Sequence, residues 1–471
     1  MEHICVWVVN FHIKDKHGIK LTSHQTLTSM LSASGYKIKK TDVDVDRILK
    51  ELTVRPRTLC MTTNDTAPEE YCVCLQNKKY LFVPKCFGLS KFGVPEVIDV
   101  AIPKEVTFDF CGSLMDVQKE PVSKYLLAAH DPLKMGGILQ LPPGFGKTVL
   151  ALYIASVLKV KTVVIVHKEF LMNQWIERIH QYLPRASVGI LKQTKVETDN
   201  DIVVASLQSI CMREYSVDTF SDFGLMIIDE CHHIGAPVFC KALTKIGVRY
   251  TLGLSATVER KDGLSKVFKW HIGDIIYKIA KKDNVQCGVK ICKFKNKTSP
   301  SLKEVRNYNG QINISRMIND MCNCKERTRF ISNIVLDILK LEPTRNCIIL
   351  SDRRQHLIDI SELFESNIEF GFYVGGMKND DLEISKTKQV ILGTYNMVSE
   401  GFDLPKLDTL ILASSKSDVE QSVGRIQRKH TLTENDNIPL VIDVVDSISV
   451  FGRQAAKRLT FYKKRKYEIK D

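Results

Sequence analysis

The chain lacks a long apolar run. No stretch approaches the roughly 18 consecutive apolar residues of a membrane helix. The short apolar start, Ile4–Phe11, has neither a basic leader nor a small-residue cleavage site and reads as a strand. An intracellular protein, cytoplasmic or nuclear and not secreted, is expected. Internal repeats and low-complexity tracts are also missing, which excludes a solenoid. Acidic residues are in deficit: 54 Asp and Glu against 67 Lys and Arg, a net charge of +13. That balance argues against a basic partner and for a polyanion. Cysteines are plentiful at 14, but zinc-site spacing is absent. Cys72-Val73-Cys74 and Cys322-Asn323-Cys324 each have a single residue between the thiols, where zinc sites have more. A disulfide framework belongs to small exported domains. Reduced thiols and no structural zinc are expected.

What is present describes a globular chain. Its 471 residues allow two to four domains, and 44% are apolar against 26% charged. Residues 1–110 read as mixed α and β, broken by Val54-Arg55-Pro56-Arg57 and Phe92-Gly93-Val94-Pro95. From Gly136 onward, short apolar runs alternate with helical patterns. Ile138–Leu141, Thr162–Val166, Ile202–Ala205, Leu225–Ile228 and Leu252–Leu254 suit strands buried on both faces. Val149–Leu158 and Phe170–Tyr182 supply crossover helices. The pattern fades between 281 and 330 and resumes at Cys347–Leu350, Gln389–Leu392, Leu410–Leu412 and Leu440–Val445. The expected fold is α/β: two parallel-sheet domains, 111–280 and 331–471, joined by a 281–330 connector behind a small α+β domain, 1–110.

The strongest local signal is Leu141-Pro142-Pro143-Gly144-Phe145-Gly146-Lys147-Thr148, between an apolar strand and an apolar helix. Glycines let backbone N–H groups curl around phosphate oxygens without a Cβ clash. The helix N-terminus adds partial positive charge. Lys147 can reach the β- and γ-phosphates and Thr148 can ligate Mg²⁺. The usual first glycine of such a loop is Leu141 here. Farther on, the strand Leu225–Ile228 ends in Asp229-Glu230-Cys231-His232. Carboxylates at that end of a parallel strand fit a Mg²⁺-nucleotide site. Asp229 would hold the metal, directly or through water, and Glu230 would deprotonate the attacking water. His232 would link this site to the second domain.

Asp229-Glu230-Cys231-His232 resembles the DEAD/DEAH box of superfamily 2 helicases. Ser255-Ala256-Thr257 is similar to that superfamily's third motif, which couples hydrolysis to domain movement, and Gln421-Ser422-Val423-Gly424-Arg425-Ile426-Gln427-Arg428 to its sixth. Weaker elements fall in order. Gln118 resembles the adenine-contacting glutamine, Val163–Trp175 motif Ia, Val204–Ser209 motif Ib, and Thr394 through Gly401-Phe402-Asp403 motif V, where Gly401 and Asp403 would face the nucleotide. The resemblance covers about residues 111–450 and implies two RecA-like domains that close on ATP and Mg²⁺.

By the same resemblance, Arg428 is the arginine finger and Arg425 assists on the γ-phosphate. Such a finger accelerates phosphoryl transfer by roughly 10³–10⁵. Arg425 and Arg428, three apart, would share a helix face with Gln421 close by. The superfamily's strand-gripping positions fall on Ser206 to Ser209 and on Thr394, and Lys168 and Arg178 would add charge. The run Lys463-Lys464-Arg465-Lys466, flanked by Phe461, Tyr462 and Tyr467, either grips backbone and stacks bases or is a solvated helix end. Lys293, Lys295 and Lys297 read as a solvated face.

Thr251–Thr257 followed by Glu259-Arg260-Lys261-Asp262-Gly263 resembles the xeroderma pigmentosum group B branch and its viral and phage relatives. That branch carries Arg-Glu-Asp where this chain has Arg260-Lys261-Asp262. Tyr80–Lys85 and Phe87-Gly88-Leu89 look like the pre-helicase region of helicases from large cytoplasmic DNA viruses, a group whose poxvirus members act in transcript release. The expectation is an ATP-dependent translocase or helicase acting on DNA ahead of RNA, with transcription or replication proteins as further partners. One alternative is a DNA-stimulated ATPase that remodels transcription complexes without unwinding. Another is a nucleotide-regulated binding module.

Overall fold

The computed structural model describes residues 29–56, 70–100, 103–232, 237–260, 262–279, 286–294, 303–366, 368–398, 402, 404–427, 437–446 and 448–470. Ile4–Phe11, Cys5, Cys60, Lys261, Lys295, Lys297, Gly401, Asp403 and Arg428 lie outside them.

The N-terminal part contains β1 (Met30–Ser32), β2 (Gly35–Lys39), α1 (Val45–Leu52), β3 (Thr53–Val54), β4 (Tyr71–Cys72), β5 (Leu75–Gln76), β6 (Tyr80–Val83), α2 (Lys85–Phe92) and β7 (Val97–Asp99). Five strands form a sheet in the order β5-β6-β2-β1-β7, and β3 pairs with β4 as a separate ribbon. Alternation buries Tyr36, Ile38, Leu81 and Val83 on one face, against Leu31, Ile48 and Leu52.

This module is keyed into the sheet that follows. The Lys85 ammonium is buried and donates to Met135 O at 3.2 Å, Arg249 O at 3.1 Å and Thr251 Oγ1 at 3.0 Å. Burial pulls its pKa down to about 8. Cys86 Sγ donates to the backbone oxygen of His271, and Phe87 meets Trp270 edge-on at 5.8 Å. A Cβ on Gly247 would stand 2.2 Å from the Ala33 Cα, so glycine permits this approach.

The second part runs α3 (Asp116–His130), β8 (Gly136–Gln140), α4 (Lys147–Leu158), β9 (Thr162–Val166), α5 (Glu169–Tyr182), β10 (Val188–Lys192), β11 (Lys195–Val196), β12 (Ile202–Ser206), α6 (Leu207–Met212), β13 (Leu225–Ile228), α7 (Pro237–Leu243), β14 (Tyr250–Ser255), α8 (Ser265–Ile272) and β15 (Ile275–Lys278). Its eight strands lie in the order β11-β10-β12-β9-β13-β14-β8-β15, parallel except for the edge strand β11. Cores cover both faces, which explains the unbroken apolar runs of β9 and β13. Each buried Val, Leu or Ile there is worth about 1.5–3 kcal/mol. The chain leaves β8 and returns as β9 beyond β13 and β14. The carboxyl ends of β8, β14 and β13 therefore sit side by side at the place where a doubly wound sheet binds ligands.

The third part holds β16 (Gly288–Phe294), α9 (Ile314–Cys322), α10 (Lys325–Leu341), β17 (Cys347–Ser351), α11 (Arg354–Ser361), β18 (Phe370–Tyr373), α12 (Asn379–Thr387), β19 (Val390–Thr394), α13 (Tyr395–Val398), β20 (Thr409–Leu412), α14 (Glu420–Val423), β21 (Leu440–Asp446), α15 (Ser449–Lys464) and β22 (Glu468–Lys470). Seven parallel strands follow the order β18-β19-β17-β20-β21-β16-β22. The fold is thus α/β, two RecA-like parallel-sheet domains behind a small α+β module. Within the span read as a connector, β16 lies between β21 and β22. Its lysines interrupt the apolar signal: Val289 is buried, while Lys290 faces out. Two buried ion pairs clamp β21. Arg327 meets Asp446 and Arg458 meets Asp443, each closest at 2.8–2.9 Å, and all four side chains are nearly inaccessible.

Candidate active site

The loop after β8 crosses the top of its sheet. Gly144 and Gly146 take φ of +77° and +80°, a region that a side chain disfavours. A Cβ on Gly146 would also lie 2.5 Å from Gln118 Nε2. Gln118 is buried on α3. Its Nε2 donates to Phe145 O at 2.8 Å, and its Oε1 accepts the Met115 N–H at 3.0 Å. In this structure the glutamine therefore braces the phosphate loop. Leu141 is fully buried and its N–H donates to Ser255 O at 2.9 Å, so the position occupied by glycine in the usual motif here anchors the loop to β14. Pro142, Pro143 and Thr148 are half-buried around the loop, and Phe145 packs in the core.

Lys147 opens α4 and reaches across to the acidic box. Its Nζ stands 3.5 Å from Glu230 Oε1 and 3.5 Å from Leu141 O. Asp229 is held from two sides: Trp175 Nε1 donates to Oδ2 at 2.9 Å, and the Glu230 N–H donates to Oδ1 at 3.0 Å. Burial first, and then the charge of Glu230, push the Asp229 pKa up. Glu230 has φ of +46°, a costly conformation for a side-chain-bearing residue and one that concentrates at functional sites. Cys231 is turned into the core below β14, where burial raises its thiol pKa.

His232 joins the acidic box to the third motif. Its Nδ1 lies 2.9 Å from Ser255 Oγ and 3.4 Å from Glu230 Oε2. Ser255 Oγ donates to Thr257 O at 2.6 Å, which uses the hydroxyl's proton and makes the imidazole the donor. Ala256 is buried beside it, and its carbonyl faces Gln140 Nε2 at 3.4 Å. Arg260 Nη1 donates to His232 O while Arg260 Nε contacts Asp262 Oδ1 at 2.9 Å. Arg260 thus touches the backbone of the acidic box, a contact between distant residues that spacing does not reveal. Trp175, read as part of a motif Ia stretch, is in fact the partner of Asp229. Its indole N–H, which needs an acceptor once buried, was the available signal.

The structure brings Gln118, Leu141–Thr148, Asp229–His232 and Ser255–Thr257 to one end of the first large sheet. It places Gln421 and Arg425 on the second. Arg425 is buried and its Nη1 donates to Phe402 O at 2.8 Å. The C-terminal end braces this segment. Arg465 Nη2 pairs with Glu420 Oε1 at 2.5 Å, and Tyr467 Oη lies 3.1 Å from Gln427 Oε1. Tyr462 is buried on Asp443, and Phe461 packs on the core. The aromatics of this run are committed internally, while Lys463, Lys464 and Lys466 stay exposed. Along the top of the sheets, Lys168 caps α5 near the Phe170 ring, Ser206 precedes α6, and Thr394 ends β19. Ser209 is buried and accepts the Gln193 N–H at 2.9 Å, which ties α6 to the β10–β11 hairpin.

Thr148 and Asp229 offer hard oxygen ligands beside a bare-backbone loop. The raised Asp229 pKa marks a carboxylate that a cation in front would relieve. The donor set fits Mg²⁺ with a nucleoside triphosphate as substrate.

Residues 112–260 match the family described as Type III restriction enzyme, res subunit. Over 458 residues the chain is 33% identical to a protein of Acanthamoeba polyphaga mimivirus named as an ATP-dependent RNA helicase, covering 94% of this chain and 86% of that one. It is 29% identical over 341 residues to a protein of Escherichia phage T5 named as a helicase, covering 69% and 71% of the two chains. S. cerevisiae Dbp5 bound to RNA and ADP BeF3 shares the fold with a TM-score of 0.51 at 10% identity, over 74% of this chain and 89% of that one. The chain is an ATP-dependent enzyme of the superfamily 2 helicases. Within them it belongs to the family of helicases from large DNA viruses that includes the mimivirus protein. No helix among the described residues is long and apolar enough to cross a membrane.

Proposed function

We propose that the protein is an intracellular ATP-driven motor that moves along one strand of DNA, with residues 111–280 binding the nucleotide and 331–471 closing over it. The observation that carries this reading is the convergence of Lys147, Asp229, Glu230, His232 and Ser255 on the adjoining ends of β8, β13 and β14. Lys147 exchanges its contact with Glu230 for the substrate's phosphates, which frees the carboxylate. Glu230 then orients the attacking water and takes its proton. Thr148 and Asp229 would hold Mg²⁺, which when bound would neutralise charge at the phosphates. By the resemblance, Gln118 would meet the nucleotide from the position where it braces the phosphate loop, Gly401 and Asp403 would line it, and Gln421, Arg425 and Arg428 would bring positive charge and donors to the departing γ-phosphate. His232 and Ser255 pass the state of the site to the strand-gripping surface of Lys168, Ser206 and Thr394, with Ser209 holding α6 in place.

The net charge of +13 favours a polyanion, and the resemblance to the xeroderma pigmentosum group B branch supports DNA, with Lys261 standing where that branch has a glutamate. The name of the mimivirus relative, an ATP-dependent RNA helicase, favours RNA as the second reading. Steady-state ATP hydrolysis with single-stranded DNA, duplex DNA and RNA separates the two, with Lys147→Ala as the blank. Many-fold stimulation by DNA supports the first reading. Stimulation confined to RNA replaces it with the second, and turnover indifferent to every polymer refutes both.

A further inference from the structure

The N-terminal module carries a thiol pair that the motor reading does not use. Cys72 Sγ and Cys74 Sγ lie 3.3 Å apart. Two residues apart on an extended strand, side chains share a face. A bend at Val73 then brings these two closer. The Val73 side chain is buried in a cluster with Val54, Cys240, Leu264 and Val267, and its N–H donates to Leu52 O at 3.0 Å. Anchoring Val73 inward turns both cysteines outward: Cys72 is exposed and Cys74 is half-exposed. The remaining described cysteines differ. Most are buried in the cores, and Cys111 is the other exposed one.

The two thiols are also unlike each other. The Cys72 pKa is pulled down to about 6, first by the hydrogen bond from Cys74 and further by Val73, Cys74 and Thr53 donors. The Cys74 pKa is pushed up by its partnership with Cys72 and by burial. The more exposed Cys72 is thus the sulfur favoured as the anion and Cys74 the one favoured to keep the shared proton, the arrangement of an attacking thiol beside a resolving one. A disulfide needs about 2.05 Å between sulfurs, so closure from 3.3 Å asks the two thiols flanking the anchored Val73 to approach by roughly 1.3 Å.

We propose that Cys72 and Cys74 form a redox-active dithiol whose substrate is a low-molecular-weight disulfide. The Cys72 thiolate attacks one sulfur of that disulfide, whose S–S bond breaks and releases one thiolate. Cys74 then gives up its proton and attacks the Cys72 sulfur of the mixed disulfide, and the second thiolate leaves. Both leaving thiolates end as thiols. The protein loses two electrons and the one proton the pair shares, the small disulfide gains the two electrons, and solvent supplies the second proton that makes both leaving groups thiols. The site lies on the ribbon whose Tyr71 stands against Cys240 and Arg260, and is separate from the phosphate loop.

The test uses the full chain, reduced, desalted and exposed to oxidised glutathione at neutral pH. Free thiols are then alkylated, and the chain is cleaved after Glu70 and Lys78, which separates Tyr71–Lys78 from Cys60 and Cys86. The expected wild-type peptide is unalkylated and lighter by two hydrogen masses, while Cys111 remains alkylated. Cys74→Ser cannot resolve the intermediate, so its peptide retains one glutathione at Cys72. Cys72→Ser gives neither product. Phenylarsine oxide, which bridges paired thiols, binds wild type at this peptide and loses it in both variants. Full alkylation of both wild-type cysteines, a bridge from either to another cysteine, or a Cys74→Ser chain without glutathione overturns the assignment. Unchanged melting temperatures of the reduced variants show that these outcomes report chemistry and not misfolding.

Discussion

His232 Nδ1 stands 2.9 Å from Ser255 Oγ, and this contact joins the ends of two neighbouring strands at the ATP site. A neutral hydrogen bond of this kind contributes about 1 kcal/mol, or roughly five-fold in rate. His232→Ala and Ser255→Ala should each lower polymer-stimulated turnover by about that factor. The double variant should be no slower than either single one. Fully additive losses in a double-mutant cycle would show that the two do not act as a unit.

Glu230→Gln keeps the size and the left-handed backbone of the residue but removes the base. Turnover should fall by roughly 10²–10⁴ while nucleotide affinity is retained. Single-turnover hydrolysis alongside equilibrium binding of a fluorescent ATP analogue checks this, and a loss of binding in step with turnover would contradict it.

Trp175→Phe preserves the buried ring and deletes the donor to Asp229 Oδ2. Groups that orient a metal-binding carboxylate typically matter by about 10–100-fold in metal affinity or activity. The Mg²⁺ concentration giving half-maximal hydrolysis should rise within that range, with the melting temperature little changed. An unaltered Mg²⁺ dependence would remove Trp175 from the site.

Arg458→Met leaves the Asp443 charge on β21 without its cation, with only the Tyr462 hydroxyl still donating to it. Breaking such a buried pair costs about 3–5 kcal/mol. Urea unfolding followed by hydrogen exchange in β21 and α15 should show the loss there, and an undiminished stability would indicate that Asp443 finds another partner.

Acid should loosen the seam between the N-terminal module and the first large sheet. Burial holds the His271 pKa down to about 4, against 6.5 for a free imidazole. Between those values the unfolded chain binds the proton and the folded one does not, so stability rises with pH. It is fully present above about 6.5 and declines as pH falls toward 4, by up to about 3 kcal/mol. His271→Leu should flatten that limb of a pH–melting curve, and a curve identical to wild type would assign the limb elsewhere.

Much of this architecture was legible in local patterns. The apolar runs from Ile138 to Leu254 and from Cys347 to Val445 became strands because a parallel sheet covered on both faces tolerates no polar interruption. The phosphate loop and Asp229–His232 were visible because their chemistry fixes residue types at fixed offsets. What escaped was long-range or masked. Basic residues hid β16, and its place in the sheet depends on β21, far along the chain. Arg327 reaches Asp446 across 119 residues, and no spacing rule links them. The burial of Lys85 has no local signal either, because its three acceptors come from residues 50 to 166 positions away. The C-terminal basic run offered charge and aromatics together, but Arg465 and Tyr467 turned to the α14 segment and Tyr462 to the core.

The Lys85 lock sets a mechanical limit. An ammonium enclosed by protein acceptors cannot exchange them for solvent as a surface contact can, and the Gly247–Ala33 approach leaves no slack for sliding. The N-terminal sheet is therefore rigid freight on the ATP-binding body and not a tethered accessory. On the proposed motor reading, a swing produced at the phosphate loop would carry that sheet along as one body, so its far edge would travel farther than the loop itself.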